Sequence, residues 1–262
     1  MPTSSLAMAH WLATMKRWRR YFRYRVEGFE HLASHDCHVV VGYHGRPLAY
    51  DLFMLGAHVH DELGYLPVAL VHRGFLRNAY LRWLTEGLEW ATGRGPQLED
   101  AVARGRHIII APGGDREGLR PGWVRYRVDW GDHLGYLRFA ISRRLPIVPV
   151  AASGVDDAYF GLVDGHRLAG KSWLRQALPP WIGVGPLGPW PLSPPFPAKV
   201  HQVIGSPITP TEYGELSRDD RDGLLALHRD VQSRVQRLLD RARSATSSSS
   251  KRASHAKHSF HR

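Results

Sequence analysis

The sequence predicts an α/β fold in which a mostly parallel central sheet is flanked by helices and preceded by an N-terminal amphipathic helix. Three short runs rich in β-branched residues, CHVVVGYHG, RHIIIAPGG and LPIVPVAASG, each end in a glycine-containing turn, and continuous apolar runs of this length are typical of buried strands. Stretches with helical spacing separate these runs, and such alternation favours parallel strands. We expect helices over Leu48 to Leu63, Phe75 to Trp90, Gln97 to Arg104 and His133 to Ser142.

The composition indicates a folded chain with an excess of positive charge. Of the 262 residues, 43% are apolar and 23% are charged, which is enough apolar surface for a large core and excludes wholesale disorder. The 35 Lys and Arg residues against 24 Asp and Glu residues leave a net charge of +11. This excess favours polyanionic partners, which include phosphorylated cofactors, anionic membrane surfaces and nucleic acids, and composition does not choose among them.

Cysteine usage and hydropathy bear on the compartment. The single cysteine, Cys37, cannot form an internal disulfide, so we expect a reducing compartment. No window reaches the roughly 18 to 20 apolar residues that a membrane-spanning helix requires. A secretory signal would place its positive charges before its apolar run, whereas here the basic cluster follows the run Leu6 to Met15. We therefore expect neither export nor a membrane-spanning helix.

We divide the chain into a basic amphipathic helix at 1–27, an α/β domain at 28–243 and a disordered Ser-rich tail at 244–262. At helical spacing, apolar side chains of the segment WLATMKRWRRYFRYR form one narrow stripe with cations beside it. Such a helix suits the headgroup region of an anionic bilayer, and the alternative is an ordinary helix packed on the domain with solvated arginines. The sequence leaves both open. The stripe consists of Trp11, Met15, Trp18 and Phe22.

The segment 179–197 holds eight prolines and two tryptophans, a composition that suits neither a helix nor a central strand. We expect an irregular apolar flap that either covers a lipid-facing opening or wraps the core. A last strand is predicted in AKVHQVIGSPI, followed by a helix capped by Ser217 with Asp219 and Asp220 in its first turn. The core stripe of this helix would be Leu224, His228, Val231, Val235, Leu238 and Ala242.

Polar residues follow directly on the first two predicted strands, where ligands of parallel sheets gather. His44 comes just after the first strand and Asp51 lies seven positions later, at the predicted start of a helix. A neutral imidazole can accept a hydroxyl proton when a carboxylate holds its other nitrogen as N–H. The two residues therefore suggest a base and its orienting acid. The alternative from spacing alone is a helix-capping aspartate beside an unrelated loop histidine.

The second predicted strand ends in APGGDREG. Glycines at Gly113 and Gly114 allow the backbone to approach a ligand and can direct N–H groups towards an oxyanion or a phosphate. Arg116 adds a planar, permanently charged group beside Glu117. The alternative is a tight turn with a surface Arg–Glu pair.

A histidine followed by a nearby aspartate, then a strand ending in Pro-Gly-Gly-x-Arg-Glu, then LPIVPVAASG, resembles the lysophospholipid and glycerolipid acyltransferase superfamily. YHGRPLAYD and APGGDREGL look most like the branch of diacylglycerol acyltransferase type 2 and its bacterial relatives, and VEGFEHL and VIGSPIT extend the resemblance over roughly residues 16–215. The resemblance implies transfer of a fatty acyl group from coenzyme A, or an acyl carrier protein, to a lipid alcohol without a covalent enzyme intermediate. It also implies that His44 is the general base and Asp51 its partner, and that Gly113, Gly114, Arg116 and Glu117 bind the acceptor.

Two departures from the family pattern bear on this expectation. The commonest spacing has four residues between histidine and aspartate, whereas this chain has six. Members that use phosphate-bearing acceptors usually carry Glu at the position of Gly113, so its loss favours a neutral glyceride or another lipid alcohol while leaving a lysophospholipid open. Backbone N–H groups near Gly113 and Gly114 would steady either the acceptor or the developing oxyanion, and the sequence leaves both open.

Other classes of site fit the sequence less well. His58 and His60 would point apart on a helix, and neither a third metal ligand nor paired cysteines accompany them. Cys37, just before a buried strand, suits a small inert apolar role. A Gly-x-Ser-x-Gly elbow of an α/β-hydrolase is absent. The rival from another class is a non-catalytic basic module that binds RNA or a membrane surface, consistent with the pI of about 10.1.

The sequence therefore predicts an O-acyltransferase of lipid metabolism, bound peripherally at the cytoplasmic face of a membrane. The expected partners are acyl-CoA or acyl carrier protein, a lipid acceptor and an anionic membrane surface, without nucleic acid. We expect no metal and no cofactor other than acyl-CoA as co-substrate.

Overall fold

A seven-stranded sheet forms the centre of the computed structural model, which describes residues 5–34, 36–46, 49–71, 90–91, 95–169 and 181–259. Its strands are β1 (Arg25–Glu27), β2 (Val39–Gly42), β3 (Val68–Leu70), β4 (Trp90–Ala91), β5 (Ile108–Ile110), β6 (Ile147–Ser153) and β10 (His201–Ile204). The order of strands across this sheet is β1-β10-β6-β2-β5-β3-β4. The five strands from β6 to β4 run parallel, while β10 pairs antiparallel with β6 and parallel with β1. The predicted mostly parallel α/β fold is thus confirmed.

Helices cover the sheet, and three of the four predicted inter-strand helices are present, at Tyr50–Leu63, Pro96–Ala103 and Gly135–Ser142. The fourth, Phe75 to Trp90, lies outside the described residues up to 89, and Trp90 belongs to β4. No helix within the described ranges is long and apolar enough to cross a membrane. The helices are α1 (Ser5–Tyr21), α2 (Tyr50–Leu63), α3 (Pro96–Ala103), α4 (Gly114–Gly118), α5 (Gly135–Ser142), α6 (Gly165–Ala169) and α7 (Arg221–Ser259).

The apolar stripe of the N-terminal helix α1 packs on the domain. Trp11, Met15 and Phe22 are buried in one cluster with Tyr50 and Met54 of α2. Of the two readings left open by the sequence, the structure therefore favours packing for this stripe, because these side chains are removed from any outside surface. The basic residues of α1 remain on its exposed side.

The C-terminal helix α7 packs its predicted stripe against the sheet, with Leu239 rather than Leu238 fully buried. The predicted cap at Ser217 is wrong: the helix begins at Arg221, and Asp220 caps it by accepting the N–H of Gly223 at 3.0 Å. The helix also continues to Ser259, so the tail predicted to be disordered from residue 244 is helical. A helix that packing has nucleated adds further residues at little cost, even through a serine run.

The Pro-rich segment contributes to a second, antiparallel sheet, whereas the sequence suggested an irregular flap. Its strands are β7 (Phe160–Gly161), β8 (Gly183–Gly185) and β9 (Gly188–Pro189), in that order. Trp181 is fully buried, whereas Leu187 and Leu192 are among the most exposed large apolar side chains described. This segment therefore both wraps the core and projects apolar groups outwards. Residues 179 and 180 of the predicted flap lie outside the described residues.

Candidate active site

The two polar segments meet at the carboxyl ends of β2 and β5. These strands are parallel neighbours, with Val41 paired to Ile110, so the segments that follow them emerge at the same edge of the sheet. The backbone N–H of His44 donates a hydrogen bond to Oε2 of Glu117 at 2.9 Å. The structure thus brings together the predicted base and the predicted glycine-rich motif.

His44 is held as an uncharged imidazole. Its ring lies against Gly118 of α4, where an added Cβ would be 2.8 Å from the ring atoms Cε1 and Nδ1. Burial, with a contribution from the positive charge of Arg120, lowers the pKa of His44 to about 4. Its Nδ1 atom is buried without a hydrogen-bond partner in the described part of the chain. An imidazole in this state can accept a proton at neutral pH.

Asp51 lies in the first turn of α2 and is fully buried. Burial raises its pKa to about 7, and the peptide N–H groups of Leu52 and Asp51 oppose that rise. Neither carboxylate oxygen has a hydrogen-bond partner among the described residues, and no hydrogen bond joins Asp51 to His44. The base–acid pair predicted from the sequence is therefore not closed in this structure, and the orienting role of Asp51 stays a prediction.

The chain between these two residues contains a strained corner. Ala49 adopts a left-handed conformation with φ of 43° and ψ of 49°, which is uncommon for a residue with a Cβ and costs on the order of 1 kcal/mol or more. Its N–H donates to the carbonyl oxygen of Arg46 at 2.8 Å. Residues 47 and 48 lie outside the described residues. Strain of this kind clusters at active sites, ligand clamps and switch regions.

Glu117 is fully buried, which differs from the predicted contact with an acceptor. Its Oε1 accepts the N–H of Asp129 at 2.8 Å, its Oε2 accepts that of His44, and Nη2 of Arg120 lies 3.5 Å from Oε1. Burial raises the pKa of Glu117 to about 8, opposed by Arg120 and the two N–H donors. A buried side chain with both oxygens occupied positions the backbone around it and has no free atom for a substrate.

Gly113 explains where the Glu117 carboxylate fits. A Cβ at Gly113 would collide with this carboxylate, so glycine leaves the space that the Glu117 side chain fills. This chain therefore has a buried carboxylate beside Gly113 although the motif position itself is a glycine.

Arg116 and Gly114 occupy the outer side of the motif. Nη2 of Arg116 lies 3.2 and 3.4 Å from the two carboxylate oxygens of Asp129, while Nε is buried without a partner in the described chain. Gly114 has φ of 48°, and its N–H donates to the carbonyl oxygen of Ala111 at 3.2 Å. The guanidinium is thus oriented by Asp129, a residue that sequence analysis missed, and the Gly114 N–H is engaged within the turn.

A buried polar layer lies behind His44, and sequence analysis missed it too. Arg46 is fully buried and donates from Nε to the carbonyl oxygen of Asp156 at 3.1 Å and from Nη1 to that of Arg120 at 2.9 Å. The Asp156 carboxylate accepts hydrogen bonds from the Tyr43 hydroxyl and from the N–H of Tyr126. Burial raises the pKa of Asp156, and Arg46 and Arg120 oppose that rise. The position of Asp156 in the sequence could have revealed it, because Asp156 follows β6 as His44 follows β2. The two strands are parallel neighbours, so both residues lie at the same edge of the sheet.

The other residues considered from the sequence take no part in this site. Burial raises the pKa of the Cys37 thiol to about 12, which suits an inert side chain. His58 contacts Arg19 and packs edge-on against Phe29, while His60 lies 4.0 Å from the Asp61 carboxylate. Within the described ranges, no three His, Cys, Asp or Glu side chains gather as a metal site would require.

The fold of this domain is that of a solved glycerolipid acyltransferase. The crystal structure of the 1-acyl-sn-glycerophosphate acyltransferase PlsC from Thermotoga maritima superimposes with a TM-score of 0.53 at 17% identity, over 90% of this chain and 79% of that one. The resemblance read from the motifs is thus confirmed at the level of the fold. No family model matches the chain.

Sequence relatives agree with the structural comparison. A chicken protein named "DGAT1/2-independent enzyme synthesizing storage lipids" is 27% identical over 228 residues, which cover 84% of this chain and 64% of that protein. Its bovine counterpart is 26% identical over 234 residues, with the same coverage. An uncharacterized protein of Mycobacterium leprae is 29% identical over 236 residues, covering 85% of this chain and 61% of that protein. The chain thus spans somewhat less than two thirds of the length of these relatives.

Proposed function

We propose that this protein is an O-acyltransferase that moves a fatty acyl group from acyl-CoA, or an acyl carrier protein, to a lipid alcohol. The observation that carries the proposal is His44: a half-buried, uncharged imidazole whose Nδ1 has no hydrogen-bond partner among the described residues. It lies at the carboxyl edge of a parallel sheet beside a glycine-rich motif. The fold shared with a glycerolipid acyltransferase and the names of the relatives support it.

The proposed reaction needs one base and two bound substrates. His44 takes the proton of the acceptor hydroxyl as its oxygen attacks the thioester carbonyl, so that an oxygen–acyl bond forms and the sulfur–acyl bond breaks. The proton then passes from His44 to the departing thiolate. A positioned base supplies roughly 10²- to 10⁴-fold, and holding both substrates together supplies much of the remainder.

Asp51 would complete the base by closing onto it. Among the described residues, neither the Nδ1 of His44 nor the carboxylate of Asp51 has a hydrogen-bond partner. Buried polar groups without partners are costly, which favours a hydrogen bond between the two side chains. Once joined, the Asp51 carboxylate fixes the tautomer of His44 and stabilises the imidazolium that forms. The strained corner at Ala49 is where the connecting segment would adjust.

Different residues of the glycine-rich motif would position the base and bind the acceptor. Glu117 holds the backbone of His44 and positions the base. Arg116, oriented by Asp129 and lying at the outer side of the motif, would contact the acceptor together with Gly113 and Gly114. A neutral glyceride fits this arrangement best, because the carboxylate beside Gly113 is turned inwards and the one cation of the motif is already paired.

An apolar cavity of about 590 Å³ would hold the acyl chain. It lies between the sheet and the helices α3 and α5, and its wall includes Leu70, Ile110, Tyr136 and Phe139. Its volume is in the range of ligand sites, roughly 300 to 1,000 Å³. Of the cavity wall, Ile110 is the last residue of β5 and precedes Gly113 by three positions in the chain.

The charge of the chain supports a peripheral location at the cytoplasmic face of an anionic membrane. A net charge of +11 attracts both acidic headgroups and the phosphates of coenzyme A or of a carrier protein.

The test is an acyl-transfer assay on the purified protein with radiolabelled acyl-CoA or acyl carrier protein and a panel of glycerides, lysophospholipids and long-chain alcohols. We expect a product whose formation falls at least about a hundredfold in His44→Ala and stays near the wild-type rate in the control His10→Ala, an exposed histidine of α1. Equal product formation by wild type and His44→Ala would refute the mechanism. Salt-sensitive RNA binding that is indifferent to His44→Ala, without any transfer, would support the non-catalytic alternative.

A further inference from the structure

The small sheet presents an apolar outer face. Phe160 of β7 pairs with Val184 of β8, and the N–H of Leu162 donates to the carbonyl oxygen of Ile182 at 2.8 Å. Directly paired residues of antiparallel strands point to the same side, so these four apolar side chains share one face. Phe160 and Leu162 are each 45% exposed and Ile182 is 38% exposed. Together with the two leucines described next, we call them the docking face: Phe160, Leu162, Ile182, Val184, Leu187 and Leu192.

The inner side of this sheet shows why the apolar face points outwards. Gly183 lies on that side, and an added Cβ there would collide with the ring of the buried Trp181. Glycine at this position lets the sheet lie directly on the tryptophan. The core contact of the sheet is therefore made on its glycine side, and the larger apolar side chains are left on the other.

The tip of the β8–β9 hairpin extends the docking face. Leu187 is 80% exposed and Leu192 is 87% exposed. The Leu187 N–H donates to Oγ of Ser193 at 3.0 Å, which holds the two leucine-bearing loops together. The segment 181–198 contains no charged residue. Contiguous large apolar side chains without interspersed charge mark an interaction surface and not an ordinary solvated turn.

The edge of this face suits a membrane interface. Trp123 is 69% exposed, and the ring of Phe160 lies against the adjacent Gly122. The exposed Arg125 and Arg127 follow Trp123 by two and four residues. The exposed acids near this edge are paired, Asp157 with Arg125 at 3.5 Å and Asp164 with Arg167 at 3.3 Å. Tryptophan with arginines around an uncharged apolar patch is the pattern of a protein that lies on an anionic bilayer.

We propose that the docking face seats this protein on the surface of an anionic lipid bilayer, an inference that rests on the proposed function for its biological purpose. The face also adjoins the candidate site. The segment after β7 enters α6, where the N–H of Gly165 donates to the carbonyl oxygen of Leu119 at 2.9 Å and His166 lies 3.4 Å from the Asp115 carboxylate of α4. The segment that leaves the docking face is thus in contact with the motif helix α4.

This assignment moves the principal membrane contact away from α1. The aromatic and methionine stripe that suggested bilayer contact is buried against α2. On its outer side α1 presents the cations Lys16, Arg17 and Arg20, which strengthen attraction to an anionic surface.

The test is cosedimentation of the full-length protein with vesicles made of equal parts phosphatidylcholine and phosphatidylglycerol. We expect the double variant Leu187→Asp, Leu192→Asp to bind these vesicles at least about tenfold more weakly than wild type, because two apolar insertions are replaced by negative charge. Trp123→Ala, which adds no charge, is expected to weaken binding in the same direction. The matched control is Leu6→Asp on α1, a leucine 80% exposed, which should stay within about twofold of wild type.

Folding, vesicle binding, oligomeric state and acyl transfer together decide between the alternatives. Circular dichroism and thermal unfolding show whether the exposed-site variants fold as wild type does. Binding by the double variant equal to wild type, no vesicle binding by either, or a wild-type dimer that the double variant converts to a monomer would each overturn the proposal, the last in favour of a protein interface. His44→Ala should bind vesicles like wild type, and the double variant should retain transfer to a detergent-dispersed acceptor. Failure of the docking face is thereby separated from failure of the catalytic mechanism.

Discussion

The unprotonated state of His44 makes a quantitative prediction about stability and pH. Burial and Arg120 lower its pKa from 6.5 to about 4 in the folded protein. Below pH 6.5 the unfolded chain binds a proton at this residue that the folded chain does not, so the free energy of unfolding falls as the pH drops. The fall begins near pH 6.5 and is complete below about pH 4. At about 1.4 kcal/mol per pKa unit, it amounts to roughly 3 kcal/mol.

The variant His44→Gln removes this titration while keeping a polar side chain of similar size. We expect the change in unfolding free energy between pH 7.5 and pH 4, measured by urea denaturation, to be smaller in His44→Gln than in wild type by about 3 kcal/mol. Asp51 and Glu117 have raised pKa values and act in the opposite direction, but they are present in both proteins and their effect is removed by subtraction. Identical pH dependence in the two proteins would show that His44 is freely protonated when folded and would refute this reasoning.

Three further predictions concern the chemistry of the site. If the ionised Asp51, whose pKa is raised to about 7, must orient His44, then kcat/KM of wild type should fall below about pH 7 and not near pH 4. Asp51→Asn should lower kcat/KM by roughly a hundredfold or more and abolish its fall below pH 7. If the fall below pH 7 is unchanged in Asp51→Asn, it belongs to another titrating group. Gly113→Ala, which crowds Glu117, should lower the free energy of unfolding by about 1 to 3 kcal/mol in urea titrations, and a neutral effect would contradict the observed packing. Phe139→Trp should shorten the preferred acyl chain in competition assays with mixed acyl-CoA, and an unchanged preference would place the chain outside this cavity.

The sequence was sufficient where one local pattern decides the structure. The three runs containing VVV, III and IVPV form the adjacent parallel strands β2, β5 and β6, because buried parallel strands must be apolar on both faces. The meeting of His44 with the glycine-rich motif followed from the same topology, since both segments follow parallel strands at one edge. Pattern and topology were therefore enough to locate the site.

The sequence was insufficient where space decides the structure. The resemblance implied that Glu117 contacts the acceptor, and the alternative was a surface pair with Arg116. In the structure its side chain turns into the space beside Gly113 and holds the backbone of His44. The helix cap was placed at Ser217, but Asp220 takes the N–H of Gly223, because two nearby capping residues cannot be ranked without the backbone. The Pro-rich segment forms a hairpin whose strand β8 contains Gly183, which fits on the ring of Trp181. None of these contacts has a periodic signature.

The distribution of rigid and strained backbone around His44 indicates which partner must move for the pair with Asp51 to close. On the side of His44, the Glu117 carboxylate holds the backbone N–H of His44. The fully buried Arg46 is held by hydrogen bonds to the carbonyl oxygens of Asp156 and Arg120. On the side of Asp51, the corner at Ala49 has a left-handed backbone, which stores strain on the order of 1 kcal/mol or more. Further along α2, Met54 and Leu55 are fully buried, which prevents a shift of the whole helix. Closure should therefore be a rearrangement of the first turn of α2 towards a stationary imidazole.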